Sequence, residues 1–288
     1  MDVKQQRKGI LCVFLAAVLY SIGGLCIKLI PWNGMSINGG RTMVALVVIG
    51  GYLIVTKHKI RFNRYILLGA LCVCGTNILF SVANKMTTAA NTIVLQFTAP
   101  IFVLVLSMLF WKKKPRKLDV ITCILVFVGI VCCFLGDFSV GRMAGNLIAV
   151  LTGMAYAGVC MLNVSPRSDS LSSIFFGQIL AALIGFPWLI SETDFSIQPI
   201  LCIALLGILQ VGGAYIFFSE GLRFTPPVSV SLISAIEPVL NPILVAIFYG
   251  EHLGVTAIIG ACIVVASVFF YNIRSQTEPN DSEKAETT

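Results

Sequence analysis

Long apolar segments, separated by short polar stretches, recur along the whole chain. Each is about 18 to 22 residues long, the length that an α-helix needs to cross about 30 Å of hydrocarbon. The composition agrees, since 57% of the residues are hydrophobic, only 11% are charged and the mean hydropathy is +0.93. The pattern predicts an all-α membrane protein with ten transmembrane helices, at residues 9–30, 36–56, 65–83, 90–111, 118–136, 145–163, 171–190, 199–219, 228–249 and 255–271.

The positions of the basic residues predict that both termini are cytoplasmic, because lysine and arginine are enriched in cytoplasmic loops. With ten spans, all of the 20 Lys and Arg residues lie on that side except Lys28, Arg41, Lys85 and Arg142. The same bias accounts for the net charge of +7, so nucleic-acid binding is not predicted. The expected partners are the lipid bilayer of the cell membrane and a small-molecule substrate, and residues 273–288 are predicted to form a polar cytoplasmic tail.

An internal repeat divides the chain into two halves. Residues 81–100 (SVANKMTTAANTIVLQFTAP) align without a gap with residues 219–238 (SEGLRFTPPVSVSLISAIEP), at a shift of 138 positions. Upstream the shift is 136 or 137, which pairs Gly9 with Gly145, Tyr20 with Tyr156 and Ala45 with Ala182. Five spans in each half, 9–136 and 145–272, place the second half upside down relative to the first. Such inverted repeats suit transport by alternating access.

Three stretches carry a resemblance to a known family: GGRTMVAL at 39–46, FTAPIFVLVLSMLFW at 97–111 and SLISAIEPVLNPILVAIFYGE at 231–251. They resemble the EamA-type ten-helix branch of the drug/metabolite transporter superfamily. The third stretch looks like the ninth helix of that family, which commonly ends in a Gly-Glu pair such as Gly250 and Glu251. Many members also have a glutamate after the fourth helix, where this chain has Lys112 to Lys114, so no shared function is predicted there.

The resemblance implies a secondary transporter with a central cavity between the two halves. Such proteins move small metabolites, often amino acids or related solutes, across the cytoplasmic membrane, and export is the direction expected here. A channel or facilitator without ion coupling is the alternative. An intramembrane enzyme is less favoured, because His58 and His252 are the only histidines and no Gly-x-Ser-x-Gly or His-Glu-x-x-His motif is present.

Polar side chains within the spans indicate which residues line the cavity, because polar groups at membrane depth face protein or water. Helical spacing places Ser234, Glu237 and Asn241 on one face of the ninth span and Asn77 and Ser81 on one face of the third. On the eighth span, Gln210, Gly213, Phe217 and Glu220 share the same spacing. The predicted substrate-binding or coupling residues are Tyr20, Asn77, Ser81, Gln96, Tyr156, Gln210, Ser234, Glu237 and Asn241. Hydrogen bonding between helices is the alternative role for each of them.

Glu237 stands out because it is the only carboxylate predicted deep in the membrane. Three interpretations stay open: coupling to a proton or another ion, contact with an ammonium-bearing substrate, and a structural hydrogen bond to backbone that the neighbouring prolines leave free. Arg41, at the start of the second span, could pair with an anionic group, but an interfacial anchor is the favoured interpretation.

Prolines predict kinks at equivalent places in the two halves. Pro238 and Pro242 each remove a backbone hydrogen bond within the ninth span, and Pro100 aligns with Pro238 in the fourth. These three prolines are the predicted hinges. No cofactor or metal site is predicted, because nearly all of the ten cysteines lie in apolar spans, where cysteine is usually a small apolar residue.

Overall fold

The computed structural model of the protein describes residues 3–87, 89–112, 115–133, 143–162, 165, 167–249 and 254–277. In these ranges all regular secondary structure is helical. The helices are α1 (Val3–Ser21), α2 (Gly23–Leu29), α3 (Gly34–Val55), α4 (Arg64–Met86), α5 (Ala89–Gln96), α6 (Ala99–Trp111), α7 (Lys117–Cys133), α8 (Met143–Cys160), α9 (Ser170–Leu189), α10 (Ile197–Leu205), the π-helix π1 (Leu206–Gly213), α11 (Ala214–Leu222), α12 (Pro227–Ser234), α13 (Glu237–Tyr249) and α14 (Val255–Thr277).

Every predicted span overlaps one of these helices or a consecutive set of them. Six segments are long and apolar enough to cross a membrane, namely Gly34–Val55, Arg64–Met86, Asn91–Phe110, Met143–Cys160, Ser170–Leu189 and Ile197–Leu222, and shorter apolar helices lie at Pro227–Leu240 and Ile258–Tyr271. The protein is therefore a multi-pass membrane protein, while the count of ten spans stays a prediction. The predicted tail begins at 273, but α14 continues to Thr277, and residues 278–288 lie outside the described ranges.

The outer surface of the bundle is apolar. Large side chains such as Val47, Ile54, Leu109 and Phe269 are more than two thirds exposed. A monomeric protein in water rarely leaves so much contiguous apolar surface uncovered, whereas lipid tails cover it at no cost. The polar side chains that a soluble protein would place outside are found inside this bundle.

Glycines bring the central helices into backbone contact. A Cβ atom on Gly39 of α3 would lie 2.7 Å from the carbonyl oxygen of Gly185 on α9, and one on Gly129 of α7 would lie 3.0 Å from that of Gly260 on α14. Small residues at such crossings let helices pack closely in a membrane, where apolar burial does not drive association. The α3–α9 crossing holds Arg41, two residues after Gly39, at the centre of the bundle.

Equivalent residues of the two halves make equivalent contacts. A Cβ atom on Gly9 would lie 2.6 Å from Oγ1 of Thr225, and one on Gly145 would lie 2.9 Å from Cβ of Thr87. The alignment pairs Gly9 with Gly145 and Thr87 with Thr225. Each glycine thus packs against the threonine of the other half, once near each end of the bundle.

Two helices are interrupted just before an aligned proline. The break between α5 and α6 lies at Phe97 and Thr98, before Pro100, and the break between α12 and α13 lies at Ala235 and Ile236, before Pro238. At both breaks a backbone amide donates a hydrogen bond to the carbonyl three residues earlier. Thr98 N donates to Leu95 O at 3.2 Å, and Ile236 N donates to Ile233 O at 3.1 Å. The helices are thus interrupted next to Pro100 and Pro238, where proline cannot donate the next helical hydrogen bond, and the kinks themselves stay a prediction. The side chain of Pro242 lies outside the described part.

Candidate functional site

A small cavity of about 40 Å³ lies at the centre of the bundle. It is lined by side chains from both halves: Tyr20, Arg41, Thr76, Asn77, Phe80, Gln96, Tyr156, Gln210, Val211, Tyr215 and Glu237. The volume suffices for water but is far below the roughly 300 Å³ or more of a typical ligand pocket. A solute could occupy this place only in another conformation of the bundle.

Glu237 lines the cavity at the first position of α13. The break before Pro238 places it there, since the helix restarts at this residue. Its side chain is 7% exposed, and no hydrogen bond or ion pair joins it to any described residue. A buried carboxylate without a partner is costly, so its position favours a ligand, a proton or water as its partner.

Arg41 is a second buried charge in the cavity wall, and the interpretation of this residue as an interfacial anchor is wrong. Its side chain is 1% exposed and cannot reach the membrane surface. The guanidinium donates to Oε1 of Gln210 at 3.3 Å, to the carbonyl oxygen of Asn77 at 3.2 Å and to Oγ of Ser81 at 2.9 Å. Nε has no partner. The charge is held by neutral groups, which leaves it able to attract an anion.

Tyr215 lines the same cavity as Arg41 and Glu237. Asn77 Nδ2 donates to its hydroxyl oxygen at 3.4 Å, and the phenol is within electrostatic reach of both Arg41 and Glu237. Three ion pairs are found in the described part of the chain, and none includes Arg41 or Glu237. The cavity therefore presents a guanidinium and a carboxyl group that are not paired with one another.

The two halves differ in one pair of polar groups. In the second half Tyr156 donates its hydroxyl hydrogen to Oγ of Ser234 at 2.9 Å. The aligned residues of the first half are Tyr20 and Gln96, and both the Tyr20 hydroxyl and Oε1 of Gln96 are buried without a partner. Thus one hydrogen-bond donor and one acceptor of the cavity wall lack partners in the first half, whereas the aligned pair in the second half is hydrogen-bonded.

The π-helix π1 carries Gln210 into the cavity. Glycines let it pack closely against α3, since a Cβ atom on Gly207 would lie 2.8 Å from the carbonyl oxygen of Arg41. π-Helical segments are rare and are frequent at functional sites. The predicted α-helical stripe does not hold here, because Phe217 is 39% exposed whereas Tyr215 lines the cavity.

The remaining predicted residues are placed as follows. Of the set predicted from spacing, the structure brings together Tyr20, Asn77, Gln96, Tyr156, Gln210 and Glu237 in the cavity wall. Ser81 and Ser234 lie one hydrogen bond behind it, on Arg41 and Tyr156. The side chain of Asn241 lies outside the described part.

Sequence reasoning missed Arg41, Thr76, Phe80, Val211 and Tyr215 as wall residues. The repeat held a usable signal for one of them, since Tyr215 aligns with Asn77 at the shift of 138. As for metals, no group of three His, Cys, Asp or Glu side chains is clustered in the described ranges.

The sequence model of the EamA-like transporter family matches this chain twice, over residues 7–135 and 143–273. The chain belongs to this family. An uncharacterized transporter of Clostridium kluyveri is 24% identical over 98% of both chains. The uncharacterized inner membrane transporter YicL of Salmonella typhimurium is 22% identical over 94% of this chain and 97% of its own. The EamA-like protein described here is therefore a membrane transporter.

A solved crystal structure shares the fold of this EamA-like transporter. It superposes with a TM-score of 0.77 over 91% of this chain and 96% of the other chain. The sequences are 16% identical, so the likeness concerns the fold alone.

Proposed function

We propose that this EamA-like protein is a secondary transporter that exports small zwitterionic metabolites, such as amino acids or related solutes, by alternating access. The observation that carries the proposal is the central cavity, in which an unpaired carboxylate and a guanidinium with a free Nε face the same space. A solute with one anionic and one cationic group is complementary to such a wall.

The open hydrogen-bonding groups agree with this cargo. The free donors are the Tyr20 hydroxyl and Arg41 Nε, and they suit a carboxylate. The free acceptors are Oε1 of Gln96 and the carboxylate of Glu237, and they suit an ammonium group. A ligand that lacks either group would leave buried polar atoms unpaired, which is the usual basis of strong discrimination between solutes.

Alternating access is supported by the packing of equivalent helices and by the paired breaks. In the proposed arrangement, residues 9–136 and 145–272 are inverted repeats whose exchange of conformation opens the cavity to one side and then the other. Pro100 and Pro238 are the proposed hinges, with Pro242 beside the second. The small volume of the cavity is consistent with a state in which no solute is bound.

Glu237 is the proposed coupling residue. Its carboxylate contacts no backbone donor in the described part, so the structural interpretation of this residue lacks support. A carboxylate that binds an ammonium group in one state and a proton in the other serves both remaining interpretations. Both termini are proposed to be cytoplasmic, with the protein in the cell membrane, on the basis of the loop charges.

Counterflow in proteoliposomes tests this function. Vesicles are loaded with one unlabelled amino acid at a time, and uptake of the same labelled amino acid from outside is measured with and without the load. A carrier gives saturable uptake that the load stimulates. Uptake that rises linearly and ignores the load would identify a channel. If counterflow is found only with solutes that carry no charged group, and with none of the amino acids, the proposed zwitterionic cargo is wrong.

A further inference from the structure

A second recess, of about 630 Å³, lies at the end of the bundle where α3 ends and α9 begins. It is formed by the segments 56–61, 168–171 and 219–223, together with Ser165, and we call it the basic recess. The topology proposed above places it on the cytoplasmic side. Two loop segments and the end of α11 converge here, so the recess is a concave feature of the fold.

Positive charge dominates the basic recess. Asp169 is bound to Nε2 of His58 at 2.9 Å, and Glu220 accepts from Arg223 at 3.1 Å, so both carboxylates are already paired. Burial acts to raise the pKa of Asp169, but hydrogen bonds from Ser172 and His58 outweigh it and hold that pKa below its usual value. The side chains of Lys57, Lys59 and Arg61 make no ion pair with any described residue. The inside-positive bias explains their sign but not their convergence on one cavity.

Helix α11 connects the basic recess to the central cavity. Tyr215 lines the cavity, and Ser219, four residues later, lines the recess. Four residues of α-helix span about 6 Å, so roughly one helical turn separates the two spaces. At this level the Oγ atoms of Ser219 and Ser170 are 2.7 Å apart in a hydrogen bond, and both side chains are buried.

Further along α9, beyond this hydrogen bond, lies a polar group without a partner. Gln178, two turns along α9 from Ser170, is fully buried, and neither of its amide atoms has a hydrogen bond. It aligns with Arg41 at the shift of 137. An unpaired amide at this depth is costly.

We propose that the basic recess is a loading site for the anionic group of a solute, a carboxylate in the first instance, and that the Ser170–Ser219 hydrogen bond closes the way from the recess to the cavity. This inference rests on the proposed transport function. The cations of the recess attract the anionic end of the solute, and Arg41 receives it in the central cavity. Separation of α9 from α11 opens the passage.

The loading site is tested by comparing how fast a cysteine in the basic recess reacts with an anionic and with a cationic thiol reagent. Ser168→Cys is made in a variant without native cysteines and placed in phosphatidylcholine nanodiscs. Anionic and cationic methanethiosulfonate reagents are compared, each rate being divided by the rate with free 2-mercaptoethanol. Three unit charges at about 10 Å raise the local concentration of a monovalent anion roughly eight-fold before salt screening. The anionic reagent should therefore react at least several-fold faster at low salt.

Charge removal then locates the effect. K57Q/K59Q/R61Q should bring the ratio of the anionic to the cationic rate close to one. The control R7Q/R64Q/K112Q makes the same change in net charge outside the recess and should leave most of the rate difference. Equal rates in the starting protein, or the same loss in both triple variants, would overturn the loading site. A third outcome would also overturn it. If phosphatidylglycerol in the nanodisc abolishes the rate ratio at Ser168→Cys but not at a reference Lys117→Cys, lipid headgroups occupy the recess.

A cysteine in the cavity tests the gate. Thr76 lines the cavity, so Thr76→Cys places a thiol there. The native hydroxyl donates to the carbonyl oxygen of Cys72 in its own helix at 2.8 Å, so the change removes no contact between helices. Ser170→Ala should speed its modification by the anionic reagent several-fold, whereas Ser191→Ala, at the opposite end of the bundle, should not. Equal rates in the two variants would refute the gate. Neither reagent test depends on transport, so failed counterflow with intact charge selectivity would reject the transport function and retain the recess.

Discussion

Replacement of Gly39 by alanine should destabilise the protein far more than the same change twelve positions further along α3. A Cβ atom on Gly39 would lie 2.7 Å from the carbonyl oxygen and 2.8 Å from the carbonyl carbon of Gly185, both in backbone that no rotamer change can move. Ordinary contacts begin at 3.4 Å, so α3 and α9 must separate by about 0.7 Å. Overpacking of this kind costs about 1–3 kcal/mol.

Gly51→Ala is the matched control, since Gly51 lies on the exposed face of the same helix with nothing within 4 Å of its added Cβ. The better helix propensity of alanine is worth up to about 1 kcal/mol, so this variant should be neutral or slightly stabilised. The gain applies to Gly39→Ala as well and, taken in full, leaves a net cost of up to about 2 kcal/mol there.

Thermal unfolding in one detergent, at one scan rate and followed by intrinsic fluorescence, measures the difference. At about 2–4 °C per kcal/mol, Gly39→Ala should unfold several degrees below the parent protein and Gly51→Ala at or above it. Transport should fall with Gly39→Ala even where it stays folded, because Arg41 lies two residues away on the displaced segment. Equal unfolding temperatures for the two variants would mean that the helices do not approach as closely as the structure has them.

Three further outcomes are expected. Glu237→Gln should abolish proton-linked flux without loss of monodispersity in size-exclusion chromatography; transport that keeps its pH dependence would remove Glu237 from coupling. Ser234→Cys and Asn241→Cys should change reactivity toward water-soluble thiol reagents between inward-facing and outward-facing conditions, and a lack of reaction at both would argue against this face as a cavity wall. Asp169→Ala removes a helix N-cap and should cost about 1 kcal/mol at neutral pH. Because the pKa of Asp169 is lowered in the folded protein, this difference in unfolding temperature should shrink as the pH falls below about 4, and a constant difference would contradict the hydrogen bonds found there.

The apolar segments and the prolines made the helices predictable. Hydrocarbon thickness fixes the length of a spanning helix, and proline removes a donor wherever it stands, so both features follow from local sequence. The breaks before Pro100 and Pro238 therefore lie where the sequence places them. The spacing of polar residues also located much of the cavity wall, because a polar group at membrane depth has few places to face.

The position of Arg41 could not be obtained in the same way. A basic residue near the start of a span can reach the surface or turn inward, and the choice depends on groups 36 to 169 residues away, on α4 and π1. The π-helix was missed for a related reason. Spacing rules assume 3.6 residues per turn, and they place Phe217 rather than Tyr215 beside Gln210 once the helix widens.

The π-helix π1 accommodates one residue that the second half has in addition to the first. The alignment of the two halves runs at 137 positions at Ala45 and at 138 from Ser81 onward, and π1 lies within the stretch of the second half where this change must occur. Deletion of a single residue, for example Leu209, would let the segment rewind as an ordinary α-helix. At 3.6 residues per turn, five residues turn by about 500°, so Gln210 and Tyr215 would lie about 140° apart around the helix and could no longer face the cavity together. A one-residue deletion here should thus erase the wall that holds Arg41 while leaving the segment long and apolar enough to insert.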